Sequence, residues 1–147
     1  MVNSREDEIA YDFIEQPSFW AFYIALIAGF RMFLLALPGN LGWTTVAFCH
    51  FFITFYFFHW AKGTPVMNMN DQGKHEKETF WELMDSGRQF TPARKLLTAT
   101  PAVLFLLASM ETKWDTGYLL LNGILAGILL VAKDPRMVRV RIFGINK

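Results

Sequence analysis

The sequence predicts an all-α fold: an integral membrane bundle of four transmembrane helices, with a short cytoplasmic surface helix between the second and third. Of the 147 residues, 53% are hydrophobic and only 18% are charged, which is too apolar for an ordinary small soluble domain. The apolar residues fall in four blocks and do not recur at the period of an amphipathic helix or strand. The first two blocks are each about 20 residues long, which is the length that crosses the hydrocarbon core of a bilayer.

The chain is predicted to be one domain whose elements follow these blocks. An acidic segment, 1–17, precedes the first span, 18–37, and a Pro-Gly-Asn turn leads into the second span, 41–61. Because a cleaved signal peptide has a basic start, we expect the first block to be retained as an anchor. The remaining elements are a cytoplasmic loop (62–95), two further spans (96–110 and 117–132) and a cytoplasmic tail (133–147).

The last two blocks, at roughly 15 and 16 residues, are at the lower limit for a span. Apolar runs of this length also occur in re-entrant hairpins and as buried helices of soluble domains. Here they stand beside two full-length blocks, and Lys95 and Lys133 are placed to snorkel from their ends. We therefore predict four spans.

Lysine and arginine are distributed unevenly over the connecting segments. With both termini and the loop on one side, the opposite side holds only Lys113, while Arg31 lies within the first span. The positive-inside rule then predicts that the termini and the loop are cytoplasmic.

The loop contains the stretch "HEKETFWELMDSG", which predicts a short helix lying on the membrane surface. Two of its four acidic residues would in principle serve as a catalytic pair. Their alternation with basic residues instead favours a role on the solvated face of this helix. The four acidic residues are Glu76, Glu78, Glu82 and Asp85. Thr91 and Pro92 then predict the N-cap and first turn of the next helix.

The sequence carries no recognisable catalytic or metal-binding motif. His50 and His59 are nine residues apart, so they leave opposite faces of a helix and cannot hold one metal together. Cys49 is the single cysteine, which excludes a disulfide within one chain. The net charge of +1 gives no reason to expect a nucleic-acid partner. We predict that the chain is not an enzyme and holds no metal or cofactor.

Three polar side chains lie inside the predicted spans: Arg31, His50 and Asn122. Arg31 either snorkels to the headgroups or pairs with another protein group. His50 and Asn122 are expected to hydrogen-bond to a neighbouring helix, and Gly123 and Gly127 let another backbone come close. The many aromatic residues of the second span face either lipid tails or a bound lipid or partner helix.

Four stretches of the sequence resemble the motifs of the Orm/ORMDL proteins of the endoplasmic reticulum: "HWAKGTP", "DQG", "WELMDSGRQFTPARKLLT" and "VRIFGIN". They occur in order and cover the chain from His59 onwards. The residues that carry the resemblance are Lys62, Gly63, Thr64, Pro65, Asp71, Gln72, Gly73, Trp81, Glu82, Met84, Asp85, Arg94, Lys95, Arg141, Phe143, Gly144 and Asn146.

This resemblance implies a regulatory protein without an active site of its own. Members of the family bind the catalytic subunits of serine palmitoyltransferase and restrain sphingolipid synthesis when ceramide is plentiful. The resemblance further implies that ceramide or another sphingolipid is a regulatory ligand. It places the lipid or partner interface near Phe57, His59, Phe80 and Trp81.

One departure from the family pattern concerns the N-terminal segment. Ala10 and Tyr11 stand where many members have the Asn and Thr of an N-x-N-T motif. Because Ala10 offers no side-chain hydrogen bond, the departure argues against ceramide sensing in the usual manner of the family. This departure motivates an alternative hypothesis, a structural accessory subunit of another membrane complex that has kept the fold. A membrane enzyme or lipid carrier is the least favoured interpretation.

Overall fold

A computed structural model of the protein describes residues 16–36, 42–62 and 77–144, of which 86 and 143 are described by main chain alone. Within these ranges the chain is helical and has no strand; one isolated antiparallel bridge joins Lys62 to Thr79. Two helices, Pro17–Leu35 and Pro92–Glu111, are long and apolar enough to cross a membrane, and Thr116–Ala132 is a shorter apolar helix.

The five α-helices are numbered in chain order. They are α1 (Pro17–Leu35), α2 (Gly42–Phe55), α3 (Phe80–Leu83), α4 (Pro92–Glu111) and α5 (Thr116–Ala132). The end of α2 continues into a π-helical turn, Tyr56–Trp60, and α3 continues into a 3-10 turn, Met84–Gly87. Two more 3-10 turns, Pro135–Met137 and Ile142–Gly144, follow α5; we call the segment from 135 to 144 the C-terminal strap.

Helix α2 is the centre of the arrangement. It packs against α1, α4 and α5, and α4 also packs against α5. Val46 and Ala47 of α2 meet Leu104 of α4 in one buried cluster, while Phe51 of α2 meets α5 in another. Helix α1 is the outermost of the long helices, since none of its residues is buried.

Successive long helices run in opposite directions, so the molecule has two ends. We call the described part of the loop, residues 77–91, the insert. At the insert end, the beginnings of α1 and α4 and the ends of α2 and α5 surround helix α3 of this segment. At the hairpin end, Arg31 near the end of α1, Trp43 at the start of α2 and Glu111 at the end of α4 meet. These two ends carry most of the buried polar groups of the described chain.

The predicted start of α4 is confirmed. Thr91 is its N-cap, with the Thr91 hydroxyl accepting a hydrogen bond from the Arg94 N–H at 3.3 Å, and Pro92 is its first residue. The helix is 20 residues long and begins before the predicted span of 96–110, because the polar turn from Pro92 to Lys95 belongs to it.

The loop contains a short helix, as predicted, but the prediction that this helix lies on the surface is wrong. Helix α3 is a single turn buried against the bundle, and Glu82 and Asp85 are buried instead of forming a solvated face. A longer helix does not form because Asp85 and Gly87 adopt left-handed backbone angles, with φ of 57° and 78°. Glu82 tolerates burial because Arg141 donates to it from the C-terminal strap, and Asp85 because the Thr91 hydroxyl donates to it and Arg94 pairs with it.

Candidate functional site

The centre of the insert end is the indole of Trp81, which is 2% exposed. The Phe58 ring stacks on it at 6.1 Å between centroids, and the His59 ring lies at 5.6 Å. Phe80, Met84 and Leu97 complete a buried cluster, on which Phe19, Trp20 and Tyr23 of α1 also pack. Trp81 is therefore a core residue of the insert, not a group exposed to a partner.

Two cations face the Trp81 ring. The Arg94 guanidinium carbon lies 4.9 Å and the Lys133 Nζ 5.6 Å from the ring. A ring face is electronegative, so it stabilises cations that are withdrawn from water. The prediction that Lys133 snorkels to the membrane surface is wrong, because the side chain turns inward and is buried; Lys95 is exposed.

Arg94 connects α4 to the insert. Its Nη2 donates to the carbonyl oxygens of Trp81 and Met84 at 2.6 and 2.8 Å, and its Nη1 donates to Gln89 Oε1 at 3.0 Å. Asp85 forms a long ion pair with Arg94 and accepts a short hydrogen bond from the Thr91 hydroxyl. Arg94 thus satisfies carbonyl groups that the single turn of α3 leaves without helical partners.

Glu82 connects the insert to the C-terminal strap. Its Oε1 accepts from Arg141 Nη1 at 2.6 Å and from the Arg139 N–H at 2.9 Å. Its Oε2 accepts from Arg141 Nη2 at 2.9 Å and from the Thr79 N–H at 2.8 Å. Burial by itself raises the pKa of Glu82, but these donors outweigh it and lower the pKa to about 2.

A cavity of about 210 Å³ lies beneath the strap. Its walls come from the end of α2, the insert and the strap, and include His59, Trp81 and Arg141. His59 Nε2 and Trp81 Nε1 are buried without a hydrogen-bond partner among the described residues. The cavity is therefore lined mainly by apolar side chains, together with the rings of His59 and Trp81 and the charged pair of Glu82 and Arg141.

The polar side chains inside the helices have partners within the chain. Of the two alternatives for Arg31, the structure has the protein partner: Nη2 donates to Glu111 Oε1 at 2.5 Å. His50 Nε2 lies 2.7 Å from the Tyr23 hydroxyl of α1. Asn122 Nδ2 donates to the Thr44 hydroxyl of α2 at 3.1 Å.

The other predicted interface and motif residues are distributed around the insert end. Phe57 is 48% exposed on the outside of the π-helical turn, while Phe80 is buried. Lys62 forms the bridge to Thr79, and Gly144 ends the strap with a φ of 68°. Phe143 is described only by its main chain. Gly63, Thr64, Pro65, Asp71, Gln72, Gly73 and Asn146 lie outside the described residues.

Sequence reasoning missed several residues that hold this site together. Thr79 and Glu82 have the T-x-x-E spacing of a capping box, which was a usable local signal. The roles of Glu111, Lys133 and Arg139 depend on contacts with distant residues, for which the sequence carries no local pattern. In the described part of the chain, no group of three histidine, cysteine or acidic side chains is placed to hold a metal ion.

Comparison with known proteins gives a consistent set of relatives. A model of the ORMDL family matches residues 9–141. ORM1-like protein 2 of Homo sapiens is 43% identical over 131 residues, which cover 87% of this chain and 85% of the human protein. ORM1-like protein 3 of Homo sapiens is 41% identical over the same shares. An uncharacterized protein of Schizosaccharomyces pombe is 37% identical over 131 residues, covering 87% of this chain and 69% of the yeast protein.

Proposed function

This chain belongs to the ORMDL family, and from that premise we propose that it is a non-catalytic, inhibitory subunit of serine palmitoyltransferase in the endoplasmic-reticulum membrane. In this role it binds the catalytic subunits of that enzyme and lowers the output of sphingolipid synthesis. The observation that carries the proposal, beside the family, is how the polar groups of the insert are used. Glu82 accepts its hydrogen bonds in part from the strap, and Arg94 donates to main-chain carbonyls of the same chain.

Such an arrangement suits a rigid docking platform better than an active site. A general acid or base must reach a substrate proton, whereas these groups are buried and already paired. A platform needs a fixed shape, which the network of Arg94 and Glu82 supplies by joining α4, the insert and the strap.

We further propose that the four long helices all cross the membrane. The apolar character of α1, α4 and α5 supports this, as does the alternation of their directions. Four crossings put both ends of the chain and the insert on one side. The positive-inside rule makes that side the cytoplasm, since all lysines and arginines outside the spans except Lys113 fall there.

The surface that meets the enzyme is proposed to be the exposed rim of the insert end. Trp81 cannot reach a partner while the insert keeps this conformation, because it is buried. Phe57 and Trp60 on the π-helical turn and Phe90 between the insert and α4 are large and exposed. Exposed aromatic side chains of this kind commonly dominate the energy of an interface.

Ceramide or a related sphingolipid is the proposed regulatory ligand. An apolar groove of about 330 Å³ lies between α1 and α4, with Ile27, Trp43 and Val103 among its walls, and its apolar lining suits an acyl chain. A lipid held there would contact α1, which is the least buried of the long helices.

Co-purification from detergent-solubilised membranes tests the proposal. The tagged chain should retain the catalytic subunits of serine palmitoyltransferase, and Phe57→Ala should lower their recovery by about fivefold or more, as expected for an interface aromatic. Ile124→Ala removes an apolar side chain of α5 that is at least as exposed as Phe57, and it should leave recovery unchanged. Failure of the unmodified chain to retain the enzyme, where a relative succeeds, would overturn the proposal.

The accessory-subunit alternative rests on the N-terminal departure at Ala10 and Tyr11. It predicts a different result for the same detergent-solubilised membranes. The chain would migrate with another membrane complex on a native gel, and added ceramide would leave serine palmitoyltransferase activity unchanged whether or not the chain is present.

A further inference from the structure

Helix α4 contains a proline, Pro101, in its interior. Proline has no N–H, so the carbonyl oxygen four residues earlier loses its helical donor. That carbonyl belongs to Leu97, whose side chain is part of the buried cluster around Trp81. An unpaired carbonyl in such a place costs free energy unless another donor reaches it.

The donor is the side chain of Lys133. Its Nζ donates to the Leu97 carbonyl oxygen at 2.6 Å. Lys133 is the C-cap of α5, so this one bond ties the end of α5 to the first half of α4. Pro101 and Lys133 therefore act as a pair: the proline frees the carbonyl that the lysine binds.

The ammonium group is enclosed when the insert is in place. Lys133 is 3% exposed, and its Nζ lies over the rings of Phe58 and Trp81 at 5.9 and 5.6 Å. Trp81 is a residue of the insert, so the insert forms part of the cover over this amine. No carboxylate among the described residues lies within ion-pair distance of Lys133.

The titratable groups around this amine give it little compensation. His50 and His59 face it from α2, and Arg94 shares the Trp81 ring with it from α4. Glu82 of the insert acts on His59 in this region, but it is engaged by Arg141. Among the described residues, a positive charge on Lys133 is thus stabilised by one carbonyl and two ring faces.

We propose that Lys133 is a proton-linked latch: with the insert closed over it the amine holds the Leu97 carbonyl, and protonation favours release of the insert, in which the ammonium returns to water. The latch acts within this chain and does not depend on which enzyme the chain binds. It makes the packing of the insert end sensitive to pH on the alkaline side of neutrality.

The direction of the pH dependence follows from burial. Burial lowers the pKa of Lys133 from 10.5 to about 7, whereas in an open or unfolded chain the pKa returns towards 10.5. Between these two values the open form binds more protons than the closed form, so lowering the pH destabilises the closed form. Below about pH 7 both forms are protonated, and the dependence levels off.

Thermal unfolding of the full chain in detergent, followed by tryptophan fluorescence, tests the latch. Between pH 7 and pH 9 the midpoint should rise by roughly 5 °C. The unfolded chain binds about one proton more than the folded chain in this range, so the unfolding equilibrium constant changes by about tenfold per pH unit. Lys133→Met should abolish the rise. Lys95→Met, which removes an exposed lysine from α4, should keep it.

Because Lys133→Met also leaves the Leu97 carbonyl unpaired, the test includes Pro101→Ala, which restores a helical N–H to that carbonyl. Lys133→Met should lower the midpoint at pH 7 less in the Pro101→Ala background than in the unmodified chain. The double variant should fold and show no rise between pH 7 and pH 9. A flat midpoint in the unmodified chain, or an undiminished rise in the double variant, would overturn the proposal.

Discussion

Each end of the bundle depends on a glutamate, which is buried at the insert end and partly exposed at the hairpin end, and the two glutamates connect different kinds of segment. At the hairpin end Glu111 binds the Arg31 guanidinium at 2.5 Å and the Trp43 N–H at 2.6 Å, so one carboxylate joins α1, α2 and α4. At the insert end Glu82 takes four hydrogen bonds from Thr79, Arg139 and Arg141, which belong to the insert and the strap.

The two ends differ in how much structure would remain if the glutamate were removed. The helices at the hairpin end keep their own hydrogen bonds, and Glu111 sets their position relative to each other. Apolar contacts alone set this position weakly in a bilayer, because lipid tails compete with them. Gly42 contributes by leaving room: a Cβ there would lie 2.5 Å from Arg31 Nη1.

The segments at the insert end have little regular structure of their own. The strap consists of two 3-10 turns, and the insert has one turn of α-helix. Their conformation depends on Glu82, on Arg94 and on the packing around Trp81. We infer that the hairpin end aligns a scaffold, while the insert end builds a surface, and the predictions below separate these two roles.

The largest effect is expected for Trp81→Ala. It removes the side chain at the centre of the insert end, along with the ring that faces Arg94 and Lys133. The unfolding free energy should fall by about 4 kcal/mol, in the range for truncation of a buried tryptophan. Chemical unfolding in detergent measures this loss.

Trp60→Ala is the matched control: Trp60 is half exposed on the adjacent π-helical turn, and its removal should cost less than about 1 kcal/mol. Equal losses in the two variants would contradict the assignment of Trp81 to the core.

The sequence predicted the parts of this structure that depend on local signals. The N-cap at Thr91 is one example, because a cap needs only the neighbouring N–H groups. The helical class and the approximate positions of the long helices also follow from composition and block length. The polar contacts of the insert end did not, because they join residues far apart in the chain, such as Glu82 and Arg141.

Lys133 illustrates why the remaining errors arose. A lysine just past an apolar block normally extends to the headgroups, and the sequence alone gave no reason to depart from that rule. The reason lies in another helix, where Pro101 frees the Leu97 carbonyl at a position that Lys133 reaches. The proline was visible in the sequence, but the pairing required the packing of α4 against α5.

The second prediction separates the strap from the insert. Glu82→Gln keeps the size of the side chain but leaves the Arg141 guanidinium without its carboxylate, at a cost of about 3 kcal/mol, near the lower limit for breaking a buried ion pair. Tryptic cleavage after Arg139 and Arg141 should accelerate strongly. Glu78→Gln is the control, since its ion-pair partner Arg139 is 75% exposed, and such surface pairs contribute little.

The same carboxylate predicts a response to acid. The pKa of Glu82 is lowered to about 2 from an ordinary value of 4.5, so its contribution is complete above about pH 4.5 and is lost as the pH falls towards 2. Proteolysis of the strap by an acid-active protease should accelerate over this interval in the unmodified chain. In Glu82→Gln it should already be fast at pH 5; a slow rate there would contradict the role of Glu82.

The third prediction tests the hairpin end. Glu111→Gln should cost about 2 kcal/mol, less than the change at Glu82, because both partners are partly exposed and the helices remain formed. The loss should appear as faster hydrogen exchange in α1, which has no buried residue. Amides of the insert should be unaffected. Faster exchange in both regions would show that the two ends are not independent.

The smallest effect is expected for Arg139→Gly, and it is stabilising. Arg139 has a φ of 62°, a left-handed conformation that costs a side-chain-bearing residue about 1 kcal/mol but suits glycine. The substitution removes an exposed ion pair with Glu78, which contributes less than that, and it keeps the main-chain N–H that donates to Glu82. The strap should therefore gain about 0.5 kcal/mol and resist tryptic cleavage at Arg141 slightly better.

Arg136→Gly, at a position outside the left-handed region, should instead weaken the strap because glycine has more conformational freedom in the unfolded chain. Opposite signs for the two variants would establish that the strap is held by its backbone geometry at Arg139 and not by the charge of that side chain.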